Sequence, residues 1–135
     1  MSKPDAIEQR LRHHGLSPTP QRLAIAEIML NKPQHLTAEQ VHARVCGEKR
    51  HVALATVYNT LRAFVEKGLL REVVVDPARS YYDSTVDNHH HFYNVETCEL
   101  TDIPEDQLQV AGLPALPQDA EITGVDVIIR IRPTH

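Results

Sequence analysis

Tryptophan is absent from this 135-residue chain, and aromatics of all kinds make up only 4% of it. Large rings supply much of the buried area of a small core. Short domains are marginal in any case, so neither half is expected to bury much surface alone. The length fits one domain or two small modules, and the second half is expected to dimerise. Cysteine is nearly absent too. Cys46 and Cys98 lie far apart and form no CxxC pair, which excludes a disulfide framework and a four-cysteine zinc site. The chain reads as cytoplasmic and reduced. Five glycines leave little material for a phosphate-cradling loop. There is no HExxH and no serine or cysteine nucleophile constellation, so no enzyme is expected. No apolar run approaches the ~20 residues of a membrane span, and Met1–Asp5 lacks the apolar stretch of a signal peptide.

What is present is divided unevenly. The net charge of −4 hides two opposite halves. Residues 1–80 carry twelve Lys/Arg against eight Asp/Glu, whereas residues 81–135 carry two against ten. A mildly basic first half suits phosphate contact. An acidic second half would repel DNA and suits cations or a protein partner.

Periodicity separates the chain in the same way. Ile7 and Leu11 recur at helical spacing, and Gly15 ends that pattern as a C-cap would. Thr19 reads as an N-cap with Pro20 at the first helical position, and an apolar stripe then runs to Leu30. Asn31-Lys32-Pro33 breaks it. Thr37-Ala38-Glu39-Gln40 is a capping box, with Val41 and Val45 behind it. Leu54, Val57, Leu61 and Val65, flanked by Tyr58 and Phe64, predict a third strong helix stopped by Gly68. The period then changes: Leu69–Val75 reads as a strand, residues 76–79 as a turn, and Ser80–Asp83 as the return strand. Helix, helix, helix, hairpin is the order of a winged helix-turn-helix. Beyond it, strands are expected near His91–Val95, Glu99–Ile103 and Glu121–Ile131, with a short helix around Glu105–Val110. The fold class is α+β: a winged helix over residues 1–83, then a small α/β dimerisation and sensing domain over 84–135.

A recognition helix packs one face and offers polar side chains on the other. With Leu54, Val57, Leu61 and Val65 on the packed side, Thr56, Tyr58, Asn59 and Arg62 remain for DNA. Asparagine can read adenine, arginine can read guanine or hold phosphate, and tyrosine or threonine can meet a thymine methyl or a phosphate. Gln21 and Arg22, at a helix start, suit phosphate.

The second constellation is His89-His90-His91. In extended backbone His89 and His91 point to one side and His90 to the other. Imidazole is a common ligand for Fe, Mn and Zn, and two on one face make half a site. Asp83 precedes the triplet, Asp102 lies on the next expected strand, and His35 stands ahead of the capping box. His35, Asp83, His89, His91 and Asp102 form a nitrogen/oxygen set suited to Fe(II), Mn(II) or Zn(II). His13, His14, His42, His51 and His135 have no such grouping and read as surface or partly buried residues.

Several segments resemble the ferric uptake regulator family: Gly15-Leu16-Ser17-Pro18-Thr19-Pro20-Gln21-Arg22, His35-Leu36-Thr37-Ala38-Glu39, Ala53-Leu54-Ala55-Thr56-Val57-Tyr58-Asn59-Thr60-Leu61, and the histidine block. The resemblance implies a winged helix joined to a dimerisation domain, acting as a homodimer on an A·T-rich inverted repeat. It implies a regulatory metal between the domains on His35, Asp83, His89, His91 and Asp102, with spacings like those of peroxide-sensing members. Asn59 stands where the family often has arginine, and Ser17 where it often has lysine. The structural zinc of most members is not expected, because the first CxxC would fall on Asn94 and Thr97. A further family metal site is weak, with Gln109 and Val125 near ligand positions. The missing CxxC, the His-His-His-Phe-Tyr run and the Val125–Arg132 ending are similar to the iron response regulator branch. For that branch the implied signal is haem, which His89, His90 and His91 would have to ligate. The expected function is transcriptional control of iron or haem homeostasis. A peroxide- or manganese-responsive repressor on the same metal site is the alternative. A metalloenzyme on these ligands, or a winged-helix repressor with incidental histidines, would be the competing classes.

Overall fold

The structure, a computed structural model, describes residues 3–47, 51–87 and 89–134. The chain divides into two compact units, Met1–Val86 and Asp87–His135.

The first unit runs α1 (Lys3–His13), α2 (Pro20–Leu30), β1 (His35–Leu36), α3 (Ala38–Gly47), α4 (Leu54–Glu66), β2 (Arg71–Asp76) and β3 (Arg79–Asp83). Its helix ends follow local chemistry. Gly15 and Gly68 both take φ near +77°, the left-handed conformation that costs glycine least. The amides beyond them turn back, Leu16 N–H to the Leu11 carbonyl at 2.8 Å and Leu69 N–H to the Phe64 carbonyl at 2.9 Å. Thr19 caps α2 by accepting the Arg22 N–H, and Pro20 opens the helix. The capping box pairs Thr37 with Gln40: the Gln40 N–H donates to the Thr37 hydroxyl, and the Thr37 N–H to Gln40 Oε1.

Ile7, Leu11, Ile25, Met29, Val41, Val45, Val57, Leu61 and Phe64 meet in one buried core. The stripe of α4 is Val57, Thr60, Leu61 and Phe64, and Leu54 is 37% exposed. The expectation that Leu54 packs inward is therefore corrected. It stands in the first turn, next to the Ala53 N-cap, where the helix has barely reached the core. Phe64 is fully buried, and burying such a ring stabilises the unit by about 1.5–3 kcal/mol.

β2 and β3 form an antiparallel hairpin, and the two-residue β1 pairs with the other edge of β3, giving the order β1-β3-β2. In β2, Val73 and Val75 are buried while Val74 faces out, as period two requires. The Ala78 N–H donates to Asp76 Oδ1 and closes the turn. Three helices followed by this hairpin, with α1 in front, are the winged helix expected. The strand β1 was not expected. Two residues are too short to show a period.

The second unit runs β4 (His90–Asn94), β5 (Leu100–Ile103), a 3-10 turn (Glu105–Gln107) and β6 (Ile128–Ile131). Its sheet has the order β5-β4-β6, with β4 antiparallel to β5 and parallel to β6. Two expectations are corrected. The helix over Glu105–Val110 shrinks to one 3-10 turn, consistent with the prolines that flank it. The strand over Glu121–Ile131 shrinks to its last four residues. β4 offers only five residues to pair with, and strand propensity without a partner forms no ladder. The β4–β5 turn is tied by Asn94, whose Oδ1 accepts the amides of Glu96 and Thr97. Among the described residues no helix is long and apolar enough to cross a membrane.

Candidate metal centre and nucleic-acid interface

Each unit carries its own cluster of nitrogen and oxygen ligands. In the first, His35 and Asp83 are register partners on β1 and β3, so their side chains leave the same face of the sheet. Asp83 is 1% exposed, and its Oδ1 accepts the Thr85 N–H at 2.9 Å. A buried carboxylate needs such donors or a cation.

In the second unit His91 pairs across the strands with Asp102. His91 Nε2 and His89 Nε2 both lie 3.2 Å from the same oxygen, Asp102 Oδ1. The two rings are 4.4 Å apart between centroids. An ionised carboxylate oxygen only accepts. Each imidazole facing it therefore carries a proton there or shares a cation with it. For His89 the other nitrogen is committed, because Nδ1 lies 2.8 Å from the Asp87 carbonyl, which also only accepts. A neutral His89 that donates Nδ1–H to the Asp87 carbonyl turns its Nε2 lone pair toward the carboxylate, where a cation can bridge the two. Such an arrangement suits a metal-ligating histidine, held by a backbone carbonyl through its other nitrogen. The donor set is all nitrogen and oxygen, which fits Fe(II), Mn(II) or Zn(II).

His90 is turned away from this cluster. Its Nδ1 accepts the Val127 N–H at 3.0 Å, so it braces the backbone that leads into β6. Of the remaining histidines, His13 and His51 are exposed, His14 and His42 are half-buried, and His135 lies outside the described residues. His42 Nε2 meets the Val52 carbonyl at 2.9 Å.

On α4, Asn59 and Arg62 are exposed and Thr56 and Tyr58 half-buried. At the start of α2, Gln21 is exposed, and the Arg22 guanidinium donates to the Ser17 carbonyl at 3.0 Å. Sequence reasoning missed the partner of Tyr58. Its hydroxyl donates to Glu39 Oε1 on α3. That bond, ahead of the Arg79 charge, holds the Glu39 carboxyl below its ordinary range and raises the Tyr58 phenol. Tyr82 on β3 is pushed up to about 12, by burial first and by the Glu72 charge second. Glu39 was legible only as part of a capping box. No local period reveals a contact across nineteen residues.

A winged helix followed by a small sheet carrying histidine and carboxylate ligands defines a class of metal-linked regulators. The chain belongs to the ferric uptake regulator family, which it matches over residues 13–127. It is 38% identical over 87 residues to the peroxide operon regulator of Bacillus subtilis, covering 64% of this chain and 59% of that one. It is 30% identical over 98 residues to the peroxide-responsive repressor PerR of Staphylococcus aureus, covering 73% and 66%. The matched stretches thus span less than two thirds of these relatives. Among solved structures, the fold is similar to the ferric uptake regulator of Pseudomonas aeruginosa with manganese. The TM-score is 0.70 at 22% identity, over 95% of this chain and 98% of that one. The ferric uptake regulator of Vibrio cholerae gives 0.72 at 21% identity, over 93% and 98%. These relatives lend no support to the iron response regulator branch expected from the histidine run.

Proposed function

We propose that this protein is a DNA-binding transcriptional regulator of the peroxide- or manganese-responsive kind, a homodimer whose grip on an A·T-rich inverted repeat is set by one divalent metal ion. In this reading His35 and Asp83 from the winged-helix half and His89, His91 and Asp102 from the dimerisation half close on that ion. The winged-helix half takes residues 1–83 and the dimerisation half residues 84–135. A bound ion would supply positive charge and directional bonds to these residues. The observation that carries the reading is the convergence of two imidazole nitrogens on one Asp102 oxygen. Ligand binding shifts a conformational balance only by its differential affinity for the two arrangements. Ligands drawn from both halves provide that difference.

DNA contact falls to Thr56, Tyr58, Asn59 and Arg62 on α4, with Gln21 and Arg22 near the backbone. No structural zinc is invoked. Haem on the triplet is the weaker reading, since His89 and His91 face Asp102 and His90 Nδ1 holds the Val127 amide.

Gel-shift titrations on an A·T-rich inverted repeat test this, with metal-free, Mn(II)-loaded and haem-treated protein. The expected outcome is tight binding with Mn(II) and weak binding without it, with haem having no effect. Peroxide treatment of Fe(II)-loaded protein is expected to release DNA, because iron is readily oxidised and Mn(II) is not. Failure to bind any such duplex in every state would sink the reading. Control by haem alone would return the iron-response reading to first place.

A further inference from the structure

An acid of α3 stands beside the α4 face proposed to read DNA. Glu39, in the first turn of α3, is exposed, and the Thr37 hydroxyl and its own backbone amide also lie against its carboxylate. It takes the hydrogen of the Tyr58 hydroxyl at Oε1, the largest influence on that carboxyl. A phenol has one proton to donate. Once that proton is spent on Glu39, the Tyr58 oxygen keeps only its lone pairs for anything else. Phosphate oxygens, thymine O4 and guanine O6 are acceptors and offer that oxygen no bond. In the major groove the donors are the exocyclic amino groups, N6 of adenine and N4 of cytosine.

We propose that Glu39 is a specificity-determining residue: by fixing Tyr58 as a hydrogen-bond acceptor, it makes Tyr58 select an exocyclic amino group rather than a phosphate or a keto oxygen. The proposal rests on α4 being the DNA-reading helix. Glu39 acts through Tyr58 and is a positioning residue. It also places a negative charge beside the duplex, which lowers affinity for DNA of every sequence. The charged and titratable groups around the pair are Arg79 beside Glu39, and Tyr82 with its neighbours Glu72 and Arg62. The Arg79 charge offsets part of the Glu39 charge.

The test compares wild type with Glu39→Ala, Glu39→Gln and Tyr58→Phe. All four are loaded with Mn(II) and used to enrich duplexes from a randomised pool. Wild type is expected to prefer adenine or cytosine at one position per half-site. Glu39→Ala and Tyr58→Phe should lose that preference by roughly fivefold, the worth of about one hydrogen bond. Glu39→Gln keeps an acceptor oxygen and should retain the preference. Both Glu39 variants should bind unselected duplex more tightly than wild type. Unchanged enrichment by Glu39→Ala would overturn the proposal, as would equal losses in Glu39→Ala and Glu39→Gln. The phenol titration of Tyr58, followed by NMR on free protein, supplies a readout that needs no DNA. It should move toward the ordinary tyrosine value in Glu39→Ala and stay raised in wild type. An ordinary Tyr58 in wild type would overturn the proposal by itself. If wild type enriches no sequence, the DNA-reading conclusion fails and this proposal with it. A raised Tyr58 in that case would still show that the pair forms.

Discussion

The two units differ in how much of themselves they bury. The first gathers apolar side chains from all four of its helices around Leu61 and Phe64. The second has few buried hydrophobic side chains, namely Tyr93, Leu100 and Ile103. It leaves Val110, Leu113, Leu116, Ile122, Ile129 and Ile131 at least 37% exposed. Exposed apolar side chains in such number are available to an interaction where they adjoin. The first unit resembles a domain stabilised by its own core, and the second a sheet with much of its apolar surface exposed. The proposed ligands are spread across both, so metal affinity and fold stability are expected to respond to different residues.

That contrast can be broken by mutation. The largest expected effect is Phe64→Ala, which should cost about 3–5 kcal/mol by opening a cavity in the first unit's core. Denaturant unfolding followed by circular dichroism checks it. A loss under 1 kcal/mol would mean that the first unit is not held by that core. Next is His91→Ala, which should weaken Mn(II) binding at least about a hundredfold in calorimetry while leaving the first unit folded. Unchanged Mn(II) affinity would remove His91 from the ligands.

Tyr82 should sharpen the contrast at alkaline pH. Its folded value of about 12 lies above the ordinary 10. The stability it contributes is therefore complete below pH 10 and disappears as pH rises toward 12. Tyr82→Phe should flatten that alkaline loss, measured as unfolding midpoints from pH 9 to pH 12. Thr37→Ala removes a helix cap and should cost about 1 kcal/mol in the first unit. The smallest stability effect is expected of Ile131→Asp, within about 0.5 kcal/mol for an exposed side chain. The same change should shift sedimentation from dimer to monomer. If the variant stays dimeric, the exposed strand β6 is not where the copies meet.

Much of the first unit was legible because its signals are local. Thr19-Pro20, Gly15, Gly68 and the Thr37/Gln40 pair each act through neighbours within one turn. The amphipathic period of α4 needs only the helix itself, and its single error, Leu54, lies at the helix end. The second unit was read less well. Ile122–Ile131 has the composition of a long strand, yet strand formation depends on a partner remote in sequence, and β4 supplies five residues. The His89–His91 alternation was readable, since period two sends alternate side chains to opposite faces.

By itself the sequence determined the α+β order, the winged-helix signature, the helix caps and the nitrogen/oxygen character of the ligands, because these follow from residue type and short-range spacing. Only the tertiary structure decided that His89 and His91 meet one oxygen of Asp102, that His90 braces Val127 instead, and that Glu39 holds Tyr58. Those facts depend on strand register and helix packing, which bring together groups that no local period connects.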